Sequence, residues 1–112
     1  MASKNGNRII AIEEHYFDPE IVAQYDDKTG FAGTPIRTKM EDLYDLRIKD
    51  MDASGIDIQV LSQGAPGVQR FEPDQAVSLA KAANDRLYET CQQHPDRFAG
   101  FATLASPAPE AA

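Results

Sequence analysis

In Arg8-Ile9-Ile10-Ala11-Ile12-Glu13-Glu14-His15 an unbroken apolar run, Ile9 to Ile12, closes on three groups able to bind a proton or a metal. A near-continuous β-branched run of this kind reads as a parallel strand covered on both faces. Ahead of it, residues 1–7 form a polar tail without the apolar stretch of a secretory signal. Behind it, residues 16–37 show no sustained periodicity and hold Pro19, Gly30, Gly33 and Pro35. A connection that long is expected to be a functional loop, with a short helical turn after Pro19.

From Thr38 the pattern changes period. Thr38-Lys39-Met40-Glu41 matches a capping box, and Met40, Leu43, Tyr44, Ile48 and Met51 follow as one helical stripe. Gly55 is the expected stop, because glycine takes a left-handed cap without steric cost. Ile56 to Ser62 reads as a second strand that empties into the turn-rich Gln63-Gly64-Ala65-Pro66-Gly67. Pro73 suits the first turn of a helix running to about His94, with Ala76, Leu79, Ala80, Ala83, Leu87 and Cys91 on one face. Arg97 to Leu104 reads as a third strand, and Ser106-Pro107 as the start of another helix.

This alternation implies right-handed βαβ units and a parallel sheet. The expected fold class is α/β: an N-terminal β-α-β-α-β segment of a (β/α)8 TIM-type barrel, incomplete at 112 residues where such barrels need about 250. A doubly wound open sheet is the alternative. Against it, the first βα turn carries a long acidic loop in place of a Gly-x-Gly-x-x-Gly fingerprint.

Composition excludes several classes of function. At 42% hydrophobic and 26% charged residues, the chain has the makings of a core, so disorder is not the default. A net charge of -7 leaves no basic patch to displace counterions, so neither nucleic acid nor an anionic membrane is an expected partner. No apolar run approaches the roughly 20 residues of a membrane span. A single cysteine, Cys91, forbids an intrachain disulfide and points to a reducing cytoplasm.

Glu13 and His15 are the sharpest chemical feature. Side chains alternate along a strand, so the two are expected on one face with Ile9 and Ala11, and Glu14 on the other with Ile10 and Ile12. A carboxylate beside an imidazole at the C-terminal end of a strand is half of a divalent metal site; it is equally the solvated end of a strand. His94 closes the long helix at the opposite end of the sheet, too far to join them. Arg47 falls inside the apolar stripe and is expected to snorkel or pair with Asp50 or Glu41. Asn84 and Asp85 read as structural hydrogen-bonding residues, and Cys91 as a small packing group.

Taken together, Ile9 to Phe17, Arg47-Ile48-Lys49-Asp50-Met51-Asp52-Ala53-Ser54-Gly55-Ile56, Leu61 to Gln69, Ala83-Asn84-Asp85 and His94-Pro95-Asp96-Arg97-Phe98 resemble the amidohydrolase-related family of metal-dependent barrels. Within it the chain is similar to the aromatic-acid decarboxylase branch, as the N-terminal portion only. Many members carry His-x-His on the first strand; Glu13-x-His15 looks like the form in the dihydroxybenzoate and resorcylate decarboxylases. The resemblance implies that Glu13 and His15 ligate zinc or manganese. It also implies that the loop bearing Ser62, Ala65 and Pro66 walls the substrate pocket. Phe17, with Tyr25 and Phe31, either covers a planar ring or packs the loop on itself.

The implied complete enzyme is a homo-oligomeric, non-oxidative decarboxylase of a small aromatic carboxylate, with no organic cofactor. No catalytic residue is expected within this chain, and the chain alone is expected to be inactive. Two alternatives stay open: a lactone or amide hydrolase of the same family, and a truncated chain that docks on a partner.

Overall fold

The computed structural model describes residues 6–25 and 31–112; residues 1–5 and 26–30 lie outside the described residues. Three strands, β1 (Ile10–Tyr16), β2 (Ile58–Gln63) and β3 (Phe98–Gly100), form one parallel sheet in the order β1-β2-β3. Four helices connect them: α1 (Pro19–Val22), α2 (Pro35–Glu41), α3 (Asp45–Ser54) and α4 (Pro73–Gln93).

The core shows which way the sheet is wound. Tyr16 of β1, Leu61 of β2 and Phe98 of β3 pack with Met51 of α3 and Leu87 of α4 in one buried cluster. Both crossover helices therefore cover the same face. Sequential strand order with helices on one side is how a barrel wall grows, whereas a doubly wound sheet reverses direction and covers both faces. The other face is open, with Ile10 and Ile12 54% and 68% exposed. A second cluster joins Ile21 of α1 and Val68 of the β2–α4 loop to Ala76, Ala80 and Ala83 of α4. These small side chains, spaced four and three apart, let α4 lie close to the loops above it.

Several boundaries depart from expectation for identifiable reasons. The helix expected from Thr38 is two helices. α2 starts earlier, with Thr34 as its N-cap and Pro35 in the first turn. It stops at Asp42, whose carboxylate accepts hydrogen bonds from the Tyr44 and Arg47 amides at 2.9 and 3.1 Å and so opens α3 separately. Gly55 does end α3, at φ 74°. The loop expected over 16–37 is narrower, because Tyr16 is still in β1 and α1 and α2 take part of it. The third strand ends at Gly100, since Asn84 of α4 pairs with the Thr103 backbone in its stead. After Ser106 the chain makes turns closed by Ala108 to Ala105 and Ala111 to Ala108 hydrogen bonds, where a helix was expected.

Candidate metal centre and cleft

β1 extends through the acidic cluster to Tyr16, and it does so with a bulge. Ala11 pairs with Gln59 and Glu14 with Leu61, so β1 spends one more residue than β2 over this interval. Glu13, in the bulge, has a left-handed backbone at φ 59°. An inserted residue flips every later side chain to the opposite face. His15 consequently pairs with Ser62 and shares the open face with Ile10 and Ile12, while Glu14 and Tyr16 turn toward the helices. Simple alternation, which grouped His15 with Ala11, does not survive the bulge.

The three strand ends enclose a cleft of about 430 Å³. His15 and Ser62 line it together with Ala65 and Pro66 of the β2 loop and Phe101 to Leu104 after β3. A larger hollow of about 720 Å³ runs between α4 and the C-terminal turns past Ser78, Lys81 and Pro109. It opens on neither Glu13 nor His15, whereas the smaller cleft is lined by His15, though not by Glu13. Among the described residues no three His, Cys, Asp or Glu side chains converge as a metal cage. Glu13 and His15 stand two residues apart at one strand end, and a carboxylate oxygen with an imidazole nitrogen is the donor chemistry that half of a divalent site would use.

Phe17 is placed differently from the expectation that it covers a planar substrate. Its ring is 3% exposed, stands edge-on to Tyr25 at 6.3 Å, and fills the space beside Gly64 where a Cβ would lie. It supports the β2 loop from beneath and has no face left for a ring. Phe31, by contrast, is 54% exposed.

The walls are fastened by residues beyond the expected set. Gln63 accepts a hydrogen bond from the Asp18 amide at 2.9 Å and donates to the Gly64 carbonyl, tying the first loop to the second. Tyr25 donates its hydroxyl to the Gly67 carbonyl at 3.1 Å, and burial raises its pKa despite that bond. Asn84 donates to the Thr103 carbonyl and accepts from its amide at 3.0 and 2.8 Å, holding the third wall. That third wall, residues 101–106, escaped sequence reading; the rule that each βα unit adds one loop at the same end would have found it.

Arg47 pairs with neither Asp50 nor Glu41, which are taken by Lys39 at 3.3 Å and Arg37 at 2.8 Å. Its guanidinium lies among carbonyls, and burial pushes its pKa down against the opposing pull of Glu14, Asp42 and Asp50. His94 caps α4 and stands edge-on to Phe98, remote from the cleft as expected. Burial raises the pKa of the Cys91 thiol beside the same core.

Fold and cleft together define one segment of a parallel (β/α) barrel with a cleft at the C-terminal ends of its strands. In sequence the chain is 42% identical over 108 residues to a gamma-resorcylate decarboxylase of Rhodococcus jostii, covering 92% of this chain and 32% of that protein. In structure it matches a dihydroxybenzoic acid decarboxylase from Polaromonas, solved with manganese and 2-nitroresorcinol, at TM-score 0.81 and 37% identity over 95% of this chain and 32% of that one. It also matches a 5-carboxyvanillate decarboxylase of Novosphingobium aromaticivorans with bound manganese, at TM-score 0.84 and 33% identity over 97% of this chain and 38% of that one. No family model matches the sequence. The chain thus spans about a third of the relatives it matches, and its resemblance to a portion of the aromatic-acid decarboxylases holds in sequence and in fold.

Proposed function

We propose that the chain is the N-terminal part of a divalent-metal-dependent, non-oxidative decarboxylase of a small hydroxylated aromatic acid. Glu13 and His15 are two of the metal's protein ligands in this reading. The observation that carries it is His15 beside Ser62 at the mouth of the open face, in a chain so similar to gamma-resorcylate decarboxylase. Manganese or zinc held by Glu13 and His15 would supply a positive centre for an anionic substrate and would stabilise developing charge. Ser62, Ala65 and Pro66 shape one wall against the ring, and Phe17 holds that wall in place. The proton donor and remaining ligands come from residues outside this chain, and the segment by itself is inactive. In this reading the working enzyme is a homo-oligomer of the cytoplasm. No helix of the described residues is long and apolar enough to cross a membrane.

The names of the relatives favour decarboxylation over hydrolysis. The test is to supply the full-length protein with Mn2+ and gamma-resorcylate and to follow loss of carbon dioxide. Turnover that disappears in His15→Ala and Glu13→Gln, together with their bound manganese, is the expected result. Metal content unchanged in both variants removes the assignment of these ligands.

A further inference from the structure

Arg47 sits where four elements meet behind the candidate metal centre. Its Nε donates to the Asp42 carbonyl at 2.8 Å, and its Nη1 to the Gln59 side chain at 3.1 Å. Its Nη2 reaches the His15 and Lys39 carbonyls, each at 3.2 Å, and the Met40 carbonyl at 3.5 Å. None of these acceptors is a carboxylate. Three of them, Lys39, Met40 and Asp42, are backbone carbonyls at the C-terminal end of α2, which lack partners in their own helix. The fourth carbonyl belongs to His15.

The bonds around the exit of β1 are divided. Tyr16, its neighbour, gives its carbonyl to the Gly64 amide, while the Phe17 amide donates to the Met40 carbonyl. The exit of β1 is therefore held from β2 on one side and from Arg47 and α2 on the other. Directly before it lies the bulge with its left-handed Glu13, where the ladder to β2 is interrupted. A strand that has lost its regular ladder needs another constraint to fix where its next side chain points. Arg47 is the cation that provides one, and its planar fork suits several carbonyls at once.

Resting on the metal-site reading above, we infer that Arg47 is a positioning residue for the metal, acting through the His15 backbone from behind the sheet. It touches neither metal nor substrate. Its removal is expected to loosen the aim of His15, and lost outer-shell support of a ligand typically weakens metal binding about 10–100-fold.

Arg97 is the internal control. It too knits carbonyls, donating to Asp57 at 2.9 Å and Ile56 at 3.2 Å, and pairs with Asp52 at 2.7 Å. It does this where β2 and β3 begin, at the end of the sheet away from His15.

The experiment measures the Mn2+ dissociation constant of the full-length protein by electron paramagnetic resonance titration, alongside a thermal melt. Arg47→Met is expected to bind Mn2+ at least about tenfold more weakly, with Arg47→Lys in between. Arg97→Met is expected to melt early yet bind Mn2+ as the wild type does. Wild-type affinity in Arg47→Met, or equal weakening in Arg97→Met, overturns the inference. Should Arg47→Met not fold, Arg47→Lys decides, since wild-type affinity there overturns it too. His15→Ala separates the two levels. If that variant loses Mn2+ while the Arg47 variants keep it, only the positioning role fails; if it binds Mn2+ normally, the metal site and the inference fall together.

Discussion

Arg86 of α4 grips Asp18 with two parallel hydrogen bonds of 2.7 Å, and the carboxylate it holds is 2% exposed. The same carboxylate caps α1, accepting from the Glu20 and Ile21 amides at 3.1 and 3.2 Å. One ion pair thereby sets the path of the chain as it leaves β1 and fastens it to the longest helix.

Removing the cation should be expensive because the anion cannot reach water. Arg86→Met is expected to destabilise the fold by about 3 kcal/mol, the low end for breaking a buried pair, since the Arg86 side chain is 36% exposed. The contact to Glu20 at 3.2 Å adds little, for that carboxylate is 59% exposed. Denaturant melts of Arg86→Met and of Asp18→Asn/Arg86→Met check this. The double variant should recover part of the loss, and no recovery would mean the cost lies in lost packing.

Stability should fall in alkali through buried tyrosine. Tyr16 is 2% exposed, and burial first, then the Asp18 charge, raises its pKa from an ordinary 10.0, with Arg86 opposing. The folded state holds its proton after the unfolded state has released it. Stability from this group is thus intact below pH 10 and declines as pH rises beyond it. Tyr16→Phe should flatten the decline by up to about 1.4 kcal/mol per pH unit, the limit of one proton, approached above pH 10. Denaturation midpoints from pH 8 to 11 read the slope directly; parallel slopes in both proteins would assign the alkaline loss to other groups.

How far these features are legible in the chain depends on what each residue advertises. Ile58–Gln63 and Pro73–Gln93 announce themselves, one by β-branched residues between turns, the other by Pro73 and a helical stripe of alanines. Glu13 and His15 stand out by charge after an apolar run. The bulge between them and Ala11 does not, because nothing in a glutamate marks a positive φ. That backbone choice depends on how β2 pairs alongside, which is tertiary information. Asp42 is a middle case: its taste for capping amides is known chemistry, but only the fold decides that it breaks the helix whose start the Thr38–Glu41 capping box predicts. Arg47 misses Asp50 and Glu41 for a related reason, since both are near in sequence but occupied by other cations.

The fit between Phe17 and Gly64 should be visible in function. A Cβ on Gly64 would stand 2.5 Å from Phe17 Cε1, so either the ring or the loop must move. Because Phe17 is packed against Tyr25, the loop with Ala65 and Pro66 is expected to yield. If that loop walls the substrate cleft, Gly64→Ala should raise KM about tenfold while bound manganese stays unchanged, the loss of one well-placed contact being worth about 1.4 kcal/mol. Adding Phe17→Leu should restore part of the affinity. A lowered kcat at constant KM would place the loop outside the binding wall.

The left-handed backbone of Glu13 supports a last, opposing pair of effects. An L-residue held at φ 59° carries a cost of about 1–2 kcal/mol that glycine does not. Glycine in turn loses about 0.5–1 kcal/mol more backbone entropy on folding. Glu13→Gly should therefore leave the metal-free protein as stable as wild type or slightly more so, whereas Glu13→Val should lose at least about 1 kcal/mol, since a β-branched residue fits this backbone worst. Manganese affinity should drop in both, because neither side chain can donate an oxygen. Melting curves recorded in chelator, set beside Mn2+ titrations of the same samples, separate the two quantities. A Glu13→Gly protein that melts well below wild type would show that the glutamate is needed by the fold. One that melts at the wild-type temperature but has lost its manganese would show strain retained for the sake of a ligand, which is the pattern the metal-site reading requires.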